Sequence, residues 1–159
     1  MCNLINDETD VHPAGWESSG GGGGDQYTGL DRFGRVVDQR WMKASSGADL
    51  ERVKYGYDRA SNRVWRNNSV ANGLSAKQDE YYTYDELNQL QTLQRGTLNE
   101  AQTGIHGTPT WEEDLSFDPT GNWTNYVNKV NGVVNESQER THNPANELRK
   151  INGSGNLVG

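Results

Sequence analysis

Four carboxylates recur along the 159-residue chain, at Asp31, Asp58, Asp85 and Asp118. Acid–base or glycosidic chemistry needs two carboxyl groups a few ångströms apart in unlike environments. These four lie one per unit, 27, 27 and 33 residues apart, and read as structural turn aspartates. Calcium would need Asp and Asn oxygens alternating within a single loop, and no segment has that pattern. His12, His106 and His142 are scattered, with no second His or Cys at ligand spacing. Cys2 allows no internal disulfide and has no candidate His or Asn partner to make it a nucleophile. The tract Gly20-Gly21-Gly22-Gly23-Gly24 has no strand before it and no Lys-Ser/Thr after it, so it is not a phosphate loop. The expectation is a chain without catalytic residues, cofactor or metal.

The aromatic residues have the best claim to binding. Trp65, Tyr82, Trp111 and Trp123 are candidates for stacking on sugar rings, with Asn and Asp supplying hydrogen bonds. The competing reading is packing. Leu, Ile, Val and Phe number only 27 of 159 residues, and an aromatic ring buries roughly 150–250 Å². In so aliphatic-poor a chain the rings must supply buried area.

The elements that would position these residues are repeats. The units read Leu30-Asp31-Arg32-Phe33-Gly34-Arg35-Val36, Tyr57-Asp58-Arg59-Ala60-Ser61-Asn62-Arg63, Tyr84-Asp85-Glu86-Leu87-Asn88-Gln89-Leu90 and Phe117-Asp118-Pro119-Thr120-Gly121-Asn122-Trp123. A degenerate fifth is His142-Asn143-Pro144-Ala145-Asn146-Glu147-Leu148. An Asp or Asn side chain that accepts from a nearby backbone N–H, followed by a residue tolerant of positive φ, makes a β-turn. Asp31, Asp58, Asp85, Asp118 and Asn143 open the five turns. Gly34, Asn62, Asn88, Gly121 and Asn146 are the candidates for the left-handed position. The flanks alternate with a period of two: Val53, Tyr55 and Tyr57 on one face, and Trp111, Glu113, Leu115 and Phe117 likewise. The expected architecture is all-β, five tandem antiparallel hairpins in a curved, twisted sheet. Helix signals are weak, and 75–80 and 96–104 read as loops.

These units resemble YD repeats, the motif of the RHS-repeat family of large surface and toxin-associated proteins, and are similar to the extracellular region of teneurins. The resemblance spans residues 27–151. It implies an open segment of a hairpin array that winds into a hollow shell or rigid scaffold. The implied partners are further YD repeats of the same parent chain, a toxin cargo or a glycan. Shells of that family use many more than five repeats, which implies that this chain is a fragment of something longer. Asp118-Pro119-Thr120-Gly121 resembles the Asp-Pro-x-Gly of the family's self-cleaving core, but it sits inside a repeat and reads as a turn.

Composition narrows the remaining classes. A net charge of −7 argues against nucleic acid, whose phosphates call for clustered Lys and Arg. No run of about 18 apolar residues suggests membrane insertion, and the first residues lack the basic and apolar regions of a secretory signal. Asn67, Asn122, Asn135 and Asn152 lie in Asn-x-Ser/Thr sequons, which an Asn-rich chain produces by chance. Residues 1–26, with the Gly/Ser run 18–24, read as a flexible leader, 27–151 as the array and 152–159 as a tail. The expected function is a non-enzymatic structural segment of an extracellular or surface protein. The alternative is a carbohydrate-binding adhesion module.

Overall fold

The computed structural model describes residues 11–13, 29–43 and 45–155. Cys2, Trp16, the glycine tract and residues 156–159 lie outside them. Ten strands form one antiparallel sheet in sequence order: β1 (Val11–Pro13), β2 (Asp38–Lys43), β3 (Asp49–Tyr57), β4 (Arg63–Asn68), β5 (Asp79–Tyr84), β6 (Leu90–Gly96), β7 (Trp111–Phe117), β8 (Trp123–Val130), β9 (Val133–His142) and β10 (Leu148–Gly155). The sheet is open, with β1 and β10 at its edges. Three residues of the stretch read as a leader thus form a strand, paired with β2 through Val11 to Lys43 and Pro13 to Trp41. The stretch read as a tail likewise begins in β10.

The meander follows from the local sequence. Hairpin turns join β3 to β4, β5 to β6, β7 to β8 and β9 to β10 at one end of the strands, and the connections between units lie at the other end. Each hairpin carries a register shift next to its turn, between Gly56 and Tyr57, Thr83 and Tyr84, Ser116 and Phe117, and Leu148 and Lys150. A turn with one left-handed residue and an adjoining bulge strengthens the local strand twist.

The connections differ in length. Two residues join β8 to β9, whereas 97–110 join β6 to β7, pinned by the Leu98–Ile105 bridge. Of the expected loops, 75–78 and 97–104 lie outside the strands, whereas Asp79 and Glu80 open β5 and Gly96 closes β6. The one helix among the described residues, the short α1 (Ser69–Gly73), lies upstream of the first of these loops, capped by the Asn68 side chain accepting from Ala71 N at 3.0 Å. It packs against β3, where Val53 and Ala71 are both buried. With Leu115 these are the buried apolar residues among the described ones. A single-layer sheet has no second layer to bury its faces, so stability depends on the neighbouring strands.

Register assigns the faces, because directly opposed residues share a side. Trp65, Tyr81, Gln94, Glu112 and Lys129 lie in one row on one face. Tyr55, Arg66, Glu80 and Arg95 lie in a row on the other, together with Tyr82, Leu93 and Glu113.

Candidate functional site

The five turns are nearly superimposable in their bonding. In each, the N–H of the fourth residue donates to the carbonyl of the first, and the N–H of the first donates to the carbonyl of the fifth: Asp31 to Arg35, Asp58 to Asn62, Asp85 to Gln89, Asp118 to Asn122 and Asn143 to Glu147, at 2.9–3.0 Å. The Oδ1 of the opening residue accepts from the fifth N–H, at 2.8–3.0 Å in every turn. In four of the five it also accepts from the third N–H.

The fourth residue is left-handed throughout: Gly34, Ser61, Asn88, Gly121 and Asn146, with φ between 61° and 86°. In the second turn the left-handed residue is therefore Ser61 and not Asn62, because position is counted from the opening Asp. Asn62 instead donates through Nδ2 to Asp58 Oδ2 at 2.9 Å.

The first and fifth positions are complementary. Where the first is Asp, the fifth is a donor: Arg35 Nε reaches Asp31 Oδ2 at 2.7 Å and Asn122 Nδ2 reaches Asp118 Oδ2 at 3.0 Å. Where the first is Asn143, the fifth is Glu147, and the bond reverses, Asn143 Nδ2 donating to Glu147 Oε2 at 2.6 Å. Neutral Asn therefore serves in the last unit because Oδ1 alone makes the turn. Hydrogen bonds from Thr120 and Asn122 hold the Asp118 carboxyl well below the usual carboxylate range. All four aspartates are thus committed to their own turns.

The turns are also bonded to one another. The fifth residue of one turn donates to the fourth residue of the next: Arg35 to Ser61 Oγ at 3.1 Å, Asn62 to Asn88 Oδ1 at 2.8 Å and Asn122 to Asn146 Oδ1 at 3.1 Å. A second link uses the tyrosine before the Asp. Tyr57 OH donates to Val36 O at 2.9 Å and Tyr84 OH to Arg63 O at 2.8 Å, each reaching 21 residues back. The third-to-fourth junction has lost the means for both links. Gly121 offers no side-chain acceptor, although Gln89 Nε2 lies 3.3 Å from where its Cβ would stand, and Phe117 has no hydroxyl.

The four candidate stacking rings do not form one platform. Trp65 is on the face opposite Tyr82, Trp111 and Trp123, and its indole lies over Gly56, where a Cβ would run into it. Trp123 is 40% exposed. Its ring stacks on Tyr126 at 6.1 Å, meets Phe117 edge-on at 6.4 Å and carries Arg140 at 5.0 Å. Tyr82 is half-buried and lines a hollow of about 320 Å³ with Tyr57, Tyr84 and Arg63. Its hydroxyl donates to Glu80 Oε2 at 2.5 Å.

Two buried carboxylates escaped sequence reasoning. Asp79, with 0% exposure, accepts from Asn67 Nδ2, Asn68 N, Asn72 Nδ2 and Leu98 N at 2.8–3.1 Å. It ties the β4–α1 corner to the start of the 97–110 loop. Glu80 accepts from Tyr82 and, at 2.7 Å, from Arg95. Burial pushes its carboxyl up, but the hydrogen bonds from Tyr82 and Arg95 and the nearby Arg66 charge bring it below its ordinary value. Neither residue belongs to the repeat motif. The only local hint was the cluster Asn67, Asn68 and Asn72 upstream.

No family model and no curated protein matches this chain. Solved structures do. The chain is similar in fold to a crystal structure titled TcdB2-TccC3-Cdc42, with a TM-score of 0.53 at 16% identity over 72% of this chain and 6% of that one. It is equally similar, with a TM-score of 0.53 at 16% identity, to TcdB2-TccC3 without its hypervariable C-terminal region, over 73% of this chain and 6% of that chain. The chain therefore spans a small fraction of the length of these structures and shares a tandem-hairpin fold with them.

Proposed function

We propose that the chain is a non-catalytic structural segment of a longer hairpin-repeat array, a stretch of scaffold or enclosing wall in a secreted or surface protein of the RHS/YD-repeat kind. The observation that carries this reading is the ladder of turns. The recurring carboxylates are consumed in turn geometry, and the fifth-position side chains Arg35, Asn62 and Asn122 in turn-to-turn bonds, so the motif is built to propagate. Among the described residues β10 is an edge strand, which supports it, since an edge strand is a template for another strand. The likeness to small portions of the TcdB2-TccC3 structures, one of them described as lacking a hypervariable C-terminal region, agrees with a wall segment beside a variable cargo. Its partners are then further repeats and that cargo.

The test is a tandem duplication of residues 131–155 placed after Gly155. Pairing onto β10 should slow hydrogen exchange at alternate amides of Leu148–Gly155 and raise the melting temperature. A duplicated segment that exchanges freely and leaves β10 unchanged would overturn the reading.

A further inference from the structure

A concavity of about 540 Å³ lies beside β4, β5 and β6, away from the turn ladder, and its chemistry is unlike the rest of this acidic chain. Three cations, Arg66, Lys77 and Arg95, line it against one carboxylate, Glu80. Glu80 is already occupied: Oε1 takes Nε and Nη2 of Arg95 at 3.1 and 2.7 Å, and Oε2 takes the Tyr82 hydroxyl at 2.5 Å. Arg66 stands 3.8 Å from it, an ion-pair separation longer than a hydrogen bond. The guanidinium of Arg66 is instead anchored by Gln78 O at 3.2 Å. That bond, with Ala76 N donating to Ala71 O at 2.8 Å, fixes the loop that carries Lys77 at the rim. Lys77 is exposed. The site thus holds a surplus of two positive charges on a fixed frame.

We propose that this concavity binds a small sugar acid, its carboxylate taken by Arg66 and Lys77 and its hydroxyls by Ser75, Gln78 and Thr110. Guanidinium groups present paired donors matched to a planar carboxylate. The lining is polar, with Ala76 as its apolar member, so a flat hydrophobic ligand has nothing to bury against. An extended acidic peptide is disfavoured because two lining carbonyls are engaged, Gln78 O by Arg66 and Arg95 O by Thr110 N and Oγ. The volume lies within the range of small-ligand sites, about 300–1,000 Å³. The proposal is independent of the array reading, since no turn residue takes part.

The test is a nuclear magnetic resonance titration of the full chain with glucuronate. Glucose, acetate and N-acetyl-aspartate amide serve as comparison ligands. Saturable shifts at the amides of Arg66, Lys77, Gln78 and Arg95 are expected with glucuronate, weakening as salt rises. Lys77→Gln, at an exposed rim position, should weaken binding about tenfold without unfolding the chain, the loss expected for one charged hydrogen bond. No saturable shift, or binding unchanged in Lys77→Gln, would overturn the site. Acetate or the aspartate amide binding as tightly as glucuronate would overturn the sugar-acid assignment.

Discussion

The junction between the second and third turns and the junction between the third and fourth use the same backbone turn, but they are held differently: β4 and β5 pair over two residues and add links between their turns, whereas β6 and β7 pair over four and lack those links. At the first, Asn62 reaches Asn88 and Tyr84 reaches Arg63 O. At the second, Gly121 and Phe117 take the acceptor and the hydroxyl away, and the loop 97–110 is inserted at the far end of the strands. Repeat arrays are stabilised by intrinsic unit terms plus nearest-neighbour interfaces. Changing two side chains at an interface therefore weakens coupling without disturbing the turns. The sheet thus divides into an N-terminal block through β6 and a C-terminal block from β7, with a seam between them.

The largest expected effect comes from Asp79→Asn. The substitution turns one acceptor atom into a donor among four donating groups, and leaving buried donors unpaired costs roughly 1–3 kcal/mol each. A loss of about 3 kcal/mol in urea unfolding is expected, with exchange accelerated over 63–98 first. Equal acceleration over 111–155 would deny that the blocks are separable.

Asn143→Asp sets a second carboxylate against Glu147 and should cost about 1 kcal/mol, reversed by adding Glu147→Gln. Failure of the double variant to recover would refute the complementarity of first and fifth positions. Next come paired hydroxyl changes. Tyr84→Phe should cost about 1 kcal/mol, and Phe117→Tyr should stabilise the seam by about half as much. Both are readable as shifts in melting midpoint.

pH offers the mildest perturbation and touches both blocks. Burial, then the Glu113 charge, pushes the Tyr126 phenol up from 10.0 to about 12, and burial with the Glu80 hydrogen bond pushes Tyr82 up as well. A raised folded value means the stabilisation is complete below pH 10.0 and is lost as pH rises toward about 12. Glu80 works in the opposite sense. Its folded value is lowered, so its contribution is present above its ordinary value of 4.5 and fades as pH falls below it. Phenolate absorbance followed beside unfolding should show alkaline loss in both Tyr126→Phe and Tyr82→Phe backgrounds, each smaller than in the parent.

The turn row was legible because it is local: an Asp or Asn, then a residue tolerant of positive φ, is set by the chain itself. Assigning the left-handed role to Asn62 over Ser61 followed residue preference, whereas the structure counts positions from the Asp and puts φ at 71° on Ser61. Splitting Trp65 from the other candidate rings required register, which bulges beside each turn shift in ways that alternation alone does not reveal. Asp79 was illegible because its partners come from β4, α1 and the loop after β6. The helix was missed because it has a cap at Asn68 but Ala71 where a capping-box Glu or Gln would stand, and no further turn to give it periodicity.

The most direct measurement is native-state hydrogen exchange across the sheet at increasing denaturant. Two opening free energies are expected, one shared by amides of β3–β6 and another by those of β7–β9, which merge in the double variant Phe117→Tyr, Gly121→Asn. A single opening free energy common to all strands of the unaltered chain would contradict the seam.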